Sequence, residues 1–567
     1  MQRALLALMV ALVALPGSVQ AHALADPIVG LWNFSGGVVR VAGAGTTFTG
    51  TVVKPTRFSV CTHPVGEVIW RITKSGSGYT GTHEYFDTAT CVPGSGGRGV
   101  ATWSIGESGG KPILRFCSTD PAPDGATECD DLTRPMDLVL RYEMPRRYGL
   151  DANDDRLVDY YTTAEQVSPR EWTALITVRR PGDSECDPSA TYTWTIDGKA
   201  QPFVSKGNCL FAFEHFPRLG KYKVALTATT GDVEEKGAVT VVVKDYLIFG
   251  LGDSNGSGEG NPDVPGLASP LWEDFRCHRS AKSFQARTAL ALEEASPQAS
   301  VTFVHLACSG ASITQGMTGP YRGLNDPGGA PIASQVAAMG ALRGKRDIDA
   351  VLVSIGVNDL GFGAMVAFCI EHGEDVGLSI LRDKDVCFVK KGVDERSPAK
   401  TLARVVEERL ASLPGRYDDL AAALKRQRIP PRSVYITQYF DSTRDSSGAF
   451  CNPLIHVVGT GSFTKVEAEW AFEHFLVPLN AAIAAAAKKH GWQLISGAQR
   501  LFRTHGYCSD DSWIVQLTTS LWKQGLLGKG LGAAKSGTLH ANAAGHQNQA
   551  TLVRLALQQD RIDGLPR

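Results

Sequence analysis

Downstream of residue 23 the sequence has no apolar run approaching the ~20 residues that a membrane-spanning helix requires, so no transmembrane segment is expected. It also has no block of like charge. Lys and Arg total 57 against 58 Asp and Glu, a net charge of -1, with both signs mixed along the chain. The electrostatic footprint of a nucleic-acid or anionic-membrane binder is therefore missing, and a neutral partner is expected. Neither a CxxC pair nor a Cys/His cluster of zinc-site spacing occurs, so no metal and no other cofactor is expected.

Cysteine itself is not scarce. Twelve residues fall into sequence-local pairs, Cys61/Cys91, Cys117/Cys129, Cys186/Cys209, Cys277/Cys308, Cys369/Cys387 and Cys451/Cys508. Proximity alone proposes these pairings, and an even count fits an oxidising destination. The start agrees with that destination. Arg3 precedes the apolar stretch Leu5 to Leu15, and Val19-Gln20-Ala21 or Ala21-His22-Ala23 offers small residues for cleavage, so residues 1–23 read as a signal peptide of a secreted protein.

At 567 residues the chain exceeds one hydrophobic core, and about three or four domains are expected. Residues 26–148 carry short alternating runs between Gly, Ser and Pro turns and predict an all-β domain of unknown role. Its Trp32, Trp70, Tyr79 and Trp103 are either a ligand-binding face or core aromatics, and the core reading is preferred. Asp151, Asn153, Asp155 and Asp159 resemble the start of a calcium loop. Arg156 stands where such a loop needs Gly and no Glu closes it, so a solvated linker is expected. Residues 167–244 predict a second β module. Its Tyr192-Thr193-Trp194-Thr195-Ile196-Asp197-Gly198 and Phe213-Glu214-His215-Phe216-Pro217 resemble PKD-type, immunoglobulin-like sandwich repeats.

From Asp245 onward apolar strand runs alternate with Ala/Leu-rich helical stretches. That alternation predicts a parallel sheet covered on both faces, a three-layer α/β domain over residues 245–567 with its site at the carboxyl ends of the strands. The first strand, Tyr246 to Phe249, runs into Gly252-Asp253-Ser254. A Ser just past a strand end, among glycines, can present its hydroxyl to a cleft while its amide faces the same point. The later strand ends carry Cys308-Ser309-Gly310-Ala311 and Gly356-Val357-Asn358-Asp359, and Leu539-His540-Ala541-Asn542 follows near the end.

These four segments, in this order, resemble the blocks of the SGNH (GDSL-like) hydrolases. The resemblance covers residues 245 to 560 and implies a flavodoxin-like fold, with Ser254 as nucleophile and His540 as its base. It further implies an oxyanion hole of the Ser254 amide, the Gly310 amide and the Asn358 side chain. Two further histidines are read as packing residues, His505 in a loop pinned by Cys508 and His546 at a helix start. The connection from Leu360 to Ser397, with Cys369 and Cys387, is long enough to be a substrate-covering insertion.

The sequence departs from the family at one place. An Asp usually stands three residues before the His, and here that position is Gly537. Three arrangements remain open: the Gly537 carbonyl orients the imidazole, a dyad suffices, or Asp510 or Asp511 reaches in. The first is preferred, because the ring needs only an acceptor to fix its tautomer. The expected function is a secreted esterase or lipase acting on a lipid or acylated polysaccharide. A phospholipase or polysaccharide O-deacetylase of the same fold is an alternative, as is a surface polymer-binding protein with a silent hydrolase domain. Sequence patterns leave the oligomeric state open.

Overall fold

The computed structural model describes residues 26–559 apart from residue 59 and the segments 109–110, 122–124, 135–137, 180–190, 202–209, 231–232, 325–327, 373–385, 453–454, 458–460 and 529–533. The expected signal peptide, residues 1–23, and the Cys186/Cys209 pairing lie outside the described residues.

The first compact unit is built on an eight-stranded antiparallel meander: β1 (Gly30–Phe34), β2 (Gly37–Ala44), β3 (Thr47–Lys54), β4 (Val68–Ser75), β5 (Gly78–Glu84), β6 (Arg98–Ser108), β7 (Lys111–Thr119) and β8 (Thr127–Thr133). Along β6, Gly99, Ala101 and Trp103 point inward while Arg98, Val100, Thr102 and Ser104 face outward, the period-two pattern of a half-buried strand. The Asn33 amide donates to Thr133 Oγ1 at 3.1 Å and to the Arg134 carbonyl at 3.2 Å, bringing β1 against the end of β8. Trp32, Trp70 and Trp103 are 0–1% exposed, and Trp70 and Trp103 pack against Phe116, so these aromatics are core. The strands Thr191–Ile196, Lys199–Gln201, Gly220–Thr230 and Val233–Val243 form a separate four-stranded sheet around buried Trp194.

The second unit holds a five-stranded parallel sheet of β9 (Asp245–Gly252), β10 (Ser300–His305), β11 (Ala350–Ser354), β12 (Val434–Thr437) and β13 (Gln493–Ile495). Its order is β10-β9-β11-β12-β13, so the chain reverses direction across the sheet at β9 and leaves a crevice beyond the carboxyl ends of the strands. Every residue of β9 to β12 is buried. Leu247, Phe249 and Leu251 pack with Val351, Val353 and the helices α1 (Gln335–Leu342), α2 (Leu402–Arg426) and α3 (Val477–His490). Tyr246 and Ile248 face the other way, into a core with Phe303, Phe284 and the helix α4 (Ala543–Gln559). Helices thus cover both faces, the three-layer α/β architecture expected.

Residues Arg141–Ile176 fold with this unit. Tyr148 is buried against Phe303 at 5.2 Å, and Arg147 donates to Thr302 Oγ1 at 2.8 Å. The acidic segment spends its carboxylates on its own loop: Asp151 accepts from the amides of Asp155 and Arg156 at 3.0 Å, and Asp159 from that of Ala152 at 2.8 Å.

The helical run Lys465–His490 is long and apolar enough by composition to cross a membrane, but here Phe475, Leu479 and Ile483 are buried in the α/β core. Five residues of it, Phe472–Leu476, are wound as a π-helix, with the Val477 amide donating to the Phe472 carbonyl. Pro478 follows and has no amide to offer the carbonyl four residues back, which favours this wider turn. Five expected disulfides are formed among the described residues, Cys61–Cys91, Cys117–Cys129, Cys277–Cys308, Cys369–Cys387 and Cys451–Cys508.

Candidate active site

The end of β9 feeds directly into a single helical turn, Ser254–Ser257, whose N-cap is Asp253. The Asp253 carboxylate accepts from the Asn255 amide at 3.1 Å and from the Tyr439 hydroxyl beyond β12. Burial pushes the Asp253 carboxyl up to about 7, although the Tyr439 hydrogen bond works in the opposite sense. Behind the turn, His305 at the end of β10 places Nε2 3.1 Å from the Gly256 carbonyl and Nδ1 3.0 Å from Glu273. The turn bearing Ser254 is therefore held from both sides.

His540 arrives from the far end of the sequence. Its loop is clamped to residues 513–515: the Val515 amide donates to the His540 carbonyl at 2.8 Å, the Leu539 amide to the Val515 carbonyl at 3.0 Å, and the Asn542 amide to the Trp513 carbonyl at 2.7 Å. This fixed backbone sets Nε2 of His540 2.8 Å from Oγ of Ser254. Burial holds the imidazole below its ordinary pKa while the nearby Glu259 pulls it upward, so the ring is neutral and able to accept a proton near pH 7.

The other two expected loops are tied to the same place. The Cys308 amide donates to the Gly252 carbonyl at 3.0 Å, which anchors the Gly310 loop to the strand end carrying Ser254. Asn358 gives one amide hydrogen to the Ala311 carbonyl at 3.0 Å, and Asp359 accepts from the Ile313 amide at 3.0 Å. The second hydrogen of Asn358 has no partner among the described residues. The amides of Ser254 and Gly310 make no hydrogen bond among the described residues, which suits groups kept for a ligand. Position 310 requires glycine: φ is +82°, and a Cβ would stand 2.3 Å from the Tyr321 hydroxyl.

Gly537 lies on the loop that carries His540. Its carbonyl accepts from the backbone amide of His540 at 3.1 Å. Among the described residues buried Nδ1 of His540 makes no hydrogen bond of ordinary geometry, although the carbonyls of Gly537 and Thr538 lie near enough to favour the protonated ring. Asp510 and Asp511 do not reach His540. Asp510 pairs with Ser446, while Asp511 lies against His505, which stacks on Trp513 at 3.8 Å. His546 is buried, accepts from the Phe284 amide at 3.3 Å, and is pushed down to about 3 by that burial, a packing role as expected.

A cavity of about 720 Å3, its open mouth included, ends at Ser254 and His540. Phe362 and Met365 from the helix Phe362–His372, Phe463, and Phe472, Phe475 and Leu476 from the π-turn form an apolar part of its wall, and Asp441, Ser442 and Thr443 a polar part. The long connection from Leu360 to Ser397 thus contributes part of that wall. Sequence reasoning missed Tyr439, Glu259, His278 and these phenylalanines. A Glu flanked by two glycines just after the nucleophile block, at Gly258-Glu259-Gly260, was the one local signal available.

No curated protein matches the chain. Among solved structures, one described as a carbohydrate acetylesterase from Xanthomonas citri aligns at 11% identity, covering 69% of this chain and 71% of that one, with a TM-score of 0.22. The sequence pattern of the GDSL-like lipase/acylhydrolase family matches residues 251–547, more than half of the sequence and the whole span from Ser254 to His540. The chain belongs to the GDSL-like lipase/acylhydrolase family.

Proposed function

We propose that this ester hydrolase works through an acyl-enzyme on Ser254, with His540 as general base and acid, and that the acyl group it prefers is an aliphatic chain. The observation that carries the reading is the 2.8 Å contact between Ser254 Oγ and His540 Nε2 at the mouth of an apolar cavity. Ser254 Oγ bonds to the ester carbonyl carbon as its proton passes to Nε2. The carbonyl oxygen takes up the electron pair and is met by the amides of Ser254 and Gly310 and the free hydrogen of Asn358. Collapse expels the alcohol, which takes the proton from His540. Water then repeats the sequence on the acyl-serine and releases the acid, returning the proton to Ser254.

The phenylalanine and methionine walls support an acyl chain longer than acetyl, because an acetyl group would leave most of that apolar surface unfilled. This favours an esterase or lipase over a polysaccharide O-deacetylase. The five disulfides support an exported protein. The β module of residues 167–244 we read as a PKD-like spacer.

Release of p-nitrophenol from acetate, butyrate and palmitate esters tests the reading, with Ser254→Ala and His540→Ala alongside. Hydrolysis lost in both variants and fastest on an ester longer than acetate supports it. Hydrolysis that survives Ser254→Ala, or a folded wild type that cleaves none of the three, overturns it and leaves the polymer-binding alternative.

A further inference from the structure

Glu259 follows Ser254 by little more than a helical turn, and its amide donates to the Ser254 carbonyl at 3.0 Å. Its side chain is 1% exposed. A carboxylate buried to this degree is costly unless donors surround it. Four side chains do so. Nδ1 of His278 lies 2.9 and 3.0 Å from its two oxygens, Ser309 donates to Oε2, and Gln524 and Ser536 donate to Oε1, the latter at 2.8 Å. Burial by itself would raise this carboxyl. The charge and hydrogen bond of His278, then His540 and Ser309, more than reverse that and hold it below the usual carboxylate range, so it stays anionic.

Two of the four donors adjoin the reacting groups. Ser309 immediately precedes Gly310, and Ser536 immediately precedes Gly537 on the loop that ends at His540. Position 537 is where the family places its aspartate. Here a Cβ on Gly537 would stand 2.2 Å from Gln524 Oε1, 2.6 Å from the Gly260 Cα and 3.0 Å from Ser520 Oγ. The space for that aspartate is filled by the residue following Glu259 and by the glutamine bound to Glu259.

We infer that Glu259 replaces the missing aspartate as the anion serving His540, acting as a positioning residue that stabilises the imidazolium through space and fixes the base loop through Ser536 and the oxyanion loop through Ser309. This rests on the proposed roles of Ser254 and His540. No bond is made or broken at Glu259; the proton travels from Ser254 to Nε2 and on to the leaving alcohol. The titratable groups that face this pair are His278 and Tyr321 on the Glu259 side and His278 and His546 on the His540 side.

The test is the pH profile of p-nitrophenyl butyrate hydrolysis by the full chain and by Glu259→Gln, Glu259→Asp and His278→Gln, with thermal melts reporting folding. His540 must be neutral to accept a proton, so the acid limb of kcat/KM follows its pKa. Losing the anion lowers that pKa and removes the counter-charge of the imidazolium. Glu259→Gln is expected to lower kcat about tenfold or more with KM little changed, and to move the acid limb down by about half to one pH unit. Glu259→Asp is expected to restore the limb. His278 is among the groups that lower the pKa of His540, so His278→Gln is expected to move the limb up. A merely structural role would lower the rate without moving the limb. The inference is overturned if Glu259→Gln keeps the wild-type rate or an unmoved limb, or, should that variant not fold, if His278→Gln leaves the limb unmoved or lowers it. A wild type that cleaves no ester would defeat the Ser254–His540 reading and this one together; an active wild type with an unmoved limb defeats this one alone.

Discussion

Gly537 packs against Gly260 so closely that a Cβ on Gly537 would stand 2.6 Å from the Gly260 Cα. The contact joins the loop that ends at His540 to the turn that starts at Ser254. It also means that the family's aspartate cannot simply be put back. Gly537→Asp is expected to lower the melting temperature by several degrees, as overpacking a filled interior does, and to lose activity rather than gain it. A thermal melt beside an esterase assay checks both.

Asn358 already gives one amide hydrogen to the Ala311 carbonyl, which orients the other. Asn358→Ala is expected to lower kcat by about 10²–10³ while KM changes little, the effect of removing one oxyanion donor. A KM that rises with kcat unchanged would instead make Asn358 a substrate-binding group.

Asp253 gives the stability a pH dependence. Its carboxyl is pushed up to about 7 from an ordinary 3.8. Between these values the folded chain holds a proton that the unfolded chain has released. The stability contributed by this group is therefore complete below the lower value and lost as the pH rises through the upper one. Asp253→Asn removes the titration, so its melting temperature relative to wild type is expected to be higher at pH 8 than at pH 5. A difference independent of pH would contradict the assignment.

The cavity wall predicts a chain-length profile. Met365→Trp is expected to shorten the preferred acyl chain and Phe475→Ala to lengthen it, each shifting kcat/KM between neighbouring p-nitrophenyl esters by roughly tenfold, about the free energy of one or two buried methylenes. Steady-state rates on a series from acetate to palmitate measure this directly.

The order of the blocks made the α/β fold and the Ser254, Gly310, Asn358 and His540 positions legible, because each sits at a strand end or helix start that local patterning marks. The surroundings of His540 were not legible. Glu259 is surrounded by donors from residues 278, 309, 524 and 536, and nothing in a linear reading joins four such distant positions. Tyr439 escapes for the same reason, since its partner Asp253 lies 186 residues away. The aromatics of the first unit could be read either as core or as a binding face. Only burial distinguishes the two, and Trp32, Trp70 and Trp103 are core.

The most direct test of the central claim is covalent: mass mapping of the full chain after reaction with an alkyl fluorophosphonate, which traps a serine activated by its base. The account predicts one adduct, on the peptide containing Ser254, absent from Ser254→Ala and formed far more slowly by His540→Ala. A folded wild type that takes up no label, or labels a different serine, would contradict it.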